Sequence, residues 1–80
     1  SSTLVRKALN SGEVHLAHTY LGRPYSLSGA VVKGNQLGRE LGFPTANVHL
    51  AEAYKLVPKD GTYAVRVEAG GRLFDGMLNI

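Results

Sequence analysis

The chain has 80 residues, no cysteine, 44% hydrophobic residues and a formal net charge of +3 at pH 7. Without cysteine, disulfides and thiolate metal sites are excluded, and the apolar fraction is too high for a disordered tail. A domain this small buries only about 60% of the surface its unfolded chain exposes, so marginal stability is expected, and the scattered basic residues exclude a nucleic-acid-binding tail.

Residues 1–23 read as helical. Ser1, Ser2 and Thr3 are suited to cap a short helix whose apolar positions Leu4, Val5, Ala8 and Leu9 fall at helical spacing. Asn10, Ser11 and Gly12 interrupt it, and Ser11 is expected to cap a second helix carrying the stripe Val14, Ala17, Tyr20 and Leu21. Gly22 is a helix stop, and Arg23-Pro24 opposes continuation.

From Tyr25 the period changes to two. Tyr25–Val32 reads as a strand with Tyr25, Leu27, Gly29 and Val31 on one face. Lys33–Gly42 reads as a loop, and Thr45–Leu50 as a short strand in which Thr45, Asn47 and His49 share a face. Pro58-Lys59-Asp60-Gly61 is expected to turn, with a positive dihedral at Gly61. Thr62–Glu68 alternates, Ala69-Gly70-Gly71 makes a hairpin connection, and Arg72–Ile80 returns, with a bulge expected at Gly76. Four short strands with glycine-rich turns predict an antiparallel sheet or barrel. The sequence stops inside an apolar strand, so the barrel is expected to be cut.

The segment Lys33–Val48, KGNQLGRELGFPTANV, is the most informative. Its glycines at 34, 38 and 42 are four apart, and glycine lets backbone N–H groups approach a phosphate closely. No Lys-Ser/Thr pair follows the last glycine, so this is not a Walker loop, and an ordinary surface loop is the plain alternative. Strand alternation after Pro44 puts the Thr45 hydroxyl and Asn47 amide on one face, with alpha carbons roughly 7 Å apart. Both offer neutral oxygen, which suits Mg2+ when phosphates supply the negative charge. A strand-end hydrogen bond by Thr45 and a turn contact by Asn47 is the competing explanation.

The string from Gly34-Asn35-Gln36-Leu37-Gly38-Arg39 through Leu41-Gly42-Phe43-Pro44-Thr45-Ala46-Asn47 resembles the riboflavin kinase signature G-x-x-L-G-R-x-L-G-F-P-T-A-N. Leu21-Gly22-Arg23-Pro24-Tyr25, Pro58–Ala64 and Gly76–Ile80 resemble flanking strands and turns of that family. Ser1-Ser2-Thr3-Leu4-Val5-Arg6 resembles the S-S-T-x-x-R motif closing the adenylyltransferase domain of the bifunctional bacterial enzymes. Hydroxyls and an arginine at a helix start also suit phosphate.

The resemblance implies a mainly β fold: an incomplete antiparallel Greek-key β-barrel over 24–80, preceded by a helical tail and linker over 1–23. It implies transfer of the γ-phosphoryl group of ATP to riboflavin, giving FMN, with adenylylation of FMN to FAD in the full-length bifunctional form. Gly34, Leu37, Gly38, Arg39 and Gly42 would shape the nucleotide loop, Thr45 and Asn47 would hold Mg2+ with ATP or ADP, and Ser2, Thr3 and Arg6 would be a remnant of the adenylyltransferase motif. The family's catalytic glutamate lies downstream of the matched region, and Glu40, Glu52 and Glu68 do not match it, so these residues alone are expected to lack kinase activity.

The other candidates read more plainly. His15 and His18 are three apart on a helix without an acidic partner in a zinc arrangement, and are expected to face solvent. His49, Lys33 and Arg39 are placed to assist phosphates or to be simply solvated, and Tyr25, Phe43, Tyr63 and Phe74 are expected in a barrel core. No apolar stretch is long enough to span a membrane, and a soluble, cytoplasmic protein is expected. Partners are then ATP or ADP and flavin, without nucleic acid or membrane, with self-association through unpaired barrel edges. A small nucleic-acid-binding barrel or a non-catalytic structural domain remains the alternative.

Overall fold

The computed structural model describes residues 2–33 and 45–80. Two helices precede four strands: α1 (Ser2–Asn10), α2 (Val14–Leu21), β1 (Gly29–Val32), β2 (Asn47–Leu50), β3 (Thr62–Ala69) and β4 (Arg72–Asn79). The chain divides into two compact units, one comprising residues 1–25 and 56–80, the other residues 26–55.

In the first unit, α1 ends in a Schellman motif. Gly12 takes φ +78°, the Glu13 N–H donates to the Ala8 carbonyl at 2.8 Å, and the Gly12 N–H donates to the Leu9 carbonyl at 3.0 Å. Ser11 does not cap α2: its hydroxyl turns back to the Lys7 carbonyl at 2.8 Å, a bond within reach because the two residues are one helical turn apart. Glu13 takes the N-cap position without a side-chain bond. Gly22 closes α2 in the left-handed region, φ +74°, with its N–H on the His18 carbonyl at 2.8 Å.

The packed centre of this unit is small. Ala8, Leu9 and Ala17 are buried, and Val5, Tyr25 and Leu56 pack against them. Small residues at 8 and 17 leave room for the longer neighbours, while Leu9, with 0% exposure, fills its position with a large side chain. The Leu9 carbonyl also accepts the Lys59 N–H at 3.0 Å, which ties the segment leading into β3 to the end of α1.

β3 and β4 pair antiparallel from Thr62↔Asn79 to Ala69↔Arg72, joined by Gly70-Gly71. Both glycines have positive φ, +58° and +74°, as a type I′ turn requires. Gly61 and Ile80 exchange two backbone hydrogen bonds, at 3.1 and 2.9 Å, and so extend the ladder by a step. Gly61 accordingly does not take the positive dihedral expected of a turn: it is drawn into the sheet instead. The bulge expected at Gly76 is also absent, because Gly76 stays in register opposite Val65. Tyr63 and Val65 are half-buried, but Val67 and Phe74, nearer the turn, are 43% and 45% exposed, so Phe74 is not core.

The second unit holds β1 and β2, paired antiparallel from Gly29↔Leu50 to Val32↔Asn47. The Ala51 N–H adds a bond to the Ser28 carbonyl at 2.9 Å. β1 is shorter than the expected strand from Tyr25: it spans Gly29–Val32, and the Ser28 bond is the one step of pairing before it. Among the described residues the sheets are two separate antiparallel pairs, so the architecture is mainly β with two short helices, and a closed barrel is not formed by them.

Candidate functional site

The β1–β2 pair brackets the residues singled out by the sequence. Val32 ends β1 opposite Asn47, the first residue of β2, so Lys33 and Ala46 are the two feet of the connection 33–46. Directly opposed residues of an antiparallel pair share a face. Asn47 and His49 therefore lie on one face with Val32 and Ala30, while Val31 and Val48 share the other. Thr45, Asn47 and His49 are all exposed.

Thr45 precedes β2 instead of belonging to it. Alternation therefore places Asn47 and His49 on a common face but does not extend to Thr45. Of the predicted nucleotide-loop residues, Gly34, Leu37, Gly38, Arg39 and Gly42 lie outside the described residues, as does Phe43. Lys33, at the start of the connection, is exposed.

Ser2, Thr3 and Arg6 lie along the first turns of α1 and are exposed, in the unit that does not contain Thr45 and Asn47. His15 and His18 are exposed, as expected, on α2. Among the described residues no three His, Cys, Asp or Glu side chains gather as a metal site. The Thr45 hydroxyl and the Asn47 amide each offer a neutral oxygen, a donor type that Mg2+ accepts beside phosphates.

Two other concavities differ in kind. A shallow depression of about 560 Å³ lies over Ala64, Val65, Arg66, Asp75, Gly76 and Met77, open to solvent and mostly apolar. A polar cleft of about 40 Å³, lined by Ser26, Ser28, Glu52 and Lys55, belongs to the second unit and is too small for a nucleotide. Sequence reasoning did not find this cleft, because its residues come from two irregular segments that no periodicity links. No helix among the described residues is long and apolar enough to cross a membrane.

Comparison with known proteins places these features in context. The family model for flavokinase, riboflavin kinase, matches residues 21–80. The bifunctional riboflavin kinase/FMN adenylyltransferase of Bacillus subtilis is 48% identical over the whole chain, which covers 25% of that protein. The protein of the same name from Escherichia coli K12 is 47% identical, with the same coverage. The chain thus spans about a quarter of the length of these relatives. A crystal structure described as a macrolide-efflux protein from Streptococcus pneumoniae superposes with a TM-score of 0.93 at 40% identity, over 99% of this chain and 26% of that one.

Proposed function

We propose, since the chain belongs to the riboflavin kinase family, that it forms the Mg2+- and ATP-binding part of an enzyme that phosphorylates riboflavin to FMN. The observation that carries this reading is the placement of Thr45 and Asn47. They stand at one foot of a connection whose sequence matches the family signature, and the β1–β2 register fixes where that foot emerges. The relatives' names couple the kinase to FMN adenylyltransferase, and we extend that pairing, with FAD as the final product, to the protein from which residues 1–23 would supply an adenylyltransferase tail. Ser2, Thr3 and Arg6 are then the remnant of its phosphate motif. Residues 24–80 form the first part of a kinase barrel, with its unpaired edges open to self-association, in a cytoplasmic enzyme.

The chemistry asked of these residues is chiefly positioning and charge neutralisation. Backbone N–H groups at Gly34, Gly38 and Gly42, with Leu37 and Arg39 shaping the loop, cradle the phosphates of ATP. The Thr45 hydroxyl and the Asn47 carbonyl oxygen would hold the cation. When bound, Mg2+ would offset the negative charge of the phosphates during transfer. The riboflavin 5′-hydroxyl oxygen bonds to the γ-phosphorus as the bridge to the β-phosphate breaks, and the hydroxyl proton passes to a base. Glu40, Glu52 and Glu68 do not match the family's base, so the roles proposed for this chain are on the nucleotide side of the reaction.

Calorimetry with ADP, with and without Mg2+, tests the reading on the unaltered chain and on Thr45→Ala/Asn47→Ala. Mg2+-dependent binding that the double substitution abolishes is expected. Equal binding by the variant, or binding indifferent to Mg2+, overturns the assignment of these two residues.

A further inference from the structure

The chain leaves the first unit at Tyr25 and rejoins it at Leu56, with the second unit, residues 26–55, between them. Those two boundary residues are bonded to each other. The Tyr25 hydroxyl donates to the Leu56 carbonyl at 2.6 Å, part-buried and across 31 positions of sequence. Both side chains pack against Ala8, Leu9 and Ala17. Pro58, two residues on, is buried, and the Lys59 N–H is anchored on the Leu9 carbonyl. The return point is therefore fixed to α1 independently of the tyrosine.

We propose that Tyr25 is a clasp: its hydroxyl closes the neck of the 26–55 excursion and so favours pairing of β1 with β2, the strand that Asn47 begins and Thr45 precedes. Holding the two ends of a long loop together lowers the entropy cost of pairing anything inside it. β1 and β2 need that help. Each is four residues long, and they are joined through residues 33–46, not through a two-residue connection like that of β3 and β4. A two-stranded pair of this length is marginal by itself. Tyr25→Phe isolates the hydroxyl, because the ring's packing survives in phenylalanine while the bond does not. The consequence for nucleotide binding rests on the function proposed above. The consequence for strand pairing does not.

The test is residue-resolved hydrogen exchange on the chain with Tyr25→Phe, with Tyr63→Phe as a matched control. Tyr63 also donates its hydroxyl to a backbone carbonyl, that of Lys59, but across only four positions. Losing one such bond shifts an opening equilibrium roughly two- to tenfold. Tyr25→Phe is expected to lower protection by that factor at the amides of β1 and β2, leaving β3 and β4 unchanged, and to weaken ADP binding with Mg2+ by a similar factor. Tyr63→Phe is expected to leave β1 and β2 unchanged. Equal loss in both strand pairs, no loss at all, or the same loss from either variant overturns the clasp. If the unaltered chain does not bind ADP, the functional reading fails, and the exchange pattern still decides the clasp. Should Tyr25→Phe not fold, exchange of the unaltered chain under rising denaturant decides it. β1 and β2 are expected to open together below the concentration that opens β3 and β4, and a single common opening overturns the proposal.

Discussion

The two strand pairs are built on opposite plans. β3 and β4 are eight residues each and meet through a two-residue turn whose glycines both take the positive φ it needs. Register there is set locally, and every pair from Ala69↔Arg72 to Thr62↔Asn79 follows from it. β1 and β2 are half as long and are linked by residues 33–46, far more chain than a two-residue turn. A long connection costs little more entropy than a short one, since closure cost grows only logarithmically. It leaves the pair dependent on its own contacts and on how its ends are held.

The largest break in this comparison is expected at Gly29. A Cβ there would overlap the His49 carbonyl oxygen, and would stand 2.8 Å from the carbonyl carbon and 2.9 Å from Val48 Cγ1. Backbone cannot swing aside as a flexible side chain can, so the strands must part or shift. Gly29→Ala is expected to cost about 2–3 kcal/mol, in the range of overpacking, and to remove exchange protection from β1 and β2 while β3 and β4 keep theirs. Unchanged protection in β1 would mean that the close approach at His49 does not hold the pair. At the hairpin the corresponding weak point is the turn. Nothing lies within 4 Å of a Cβ at Gly70, so the obstacle is conformational alone. Gly70→Ala is expected to cost about 1 kcal/mol, the penalty of left-handed backbone for an L residue, whereas Gly70→Asn, which tolerates that region, costs little. Urea unfolding of the two variants reads the difference directly.

The contrast explains what could be read from sequence. The hairpin was legible because its signals are local: alternation at Tyr63, Val65 and Val67, then Gly70-Gly71 at the tip. The helix stops at Gly12 and Gly22 were legible for the same reason, since a left-handed cap needs a glycine nearby. Ser11 misled because its hydroxyl had two acceptable uses, and bonding back to Lys7 won over capping α2. Gly61 and Gly76 misled because glycine signals only permission. At both, the sheet took up the residue without using its freedom. In the candidate site, the motif and the pair Thr45 and Asn47 are proposed from residue types at fixed spacing. The start of β2 at Asn47, the neck bond from Tyr25 to Leu56 and the polar cleft at Ser26, Ser28, Glu52 and Lys55 were not legible. Each depends on which distant backbone atoms meet, and neither periodicity nor composition encodes that.

Gly76 offers the smallest and most discriminating test, because it is a strand glycine like Gly29 with the opposite surroundings. It stands opposite Val65 on the half-buried face of the hairpin, and its φ is not in the left-handed region. A Cβ there would sit 3.4 Å from Val67 Cγ2 and 3.9 Å from Val65 Cγ2, both ordinary contacts with side chains. Alanine at 76 therefore meets no backbone and fills space beside two valines. It also removes conformational freedom from the unfolded chain, an effect that stabilises by about 0.4–1 kcal/mol when the native backbone is compatible. Gly76→Ala is expected to raise the urea midpoint of the hairpin by a matching amount, while Gly29→Ala lowers protection in the other pair. A loss of stability at Gly76 would mean that this position needs glycine for a reason the register does not show, and would narrow the distinction between the two strand pairs to the turn alone.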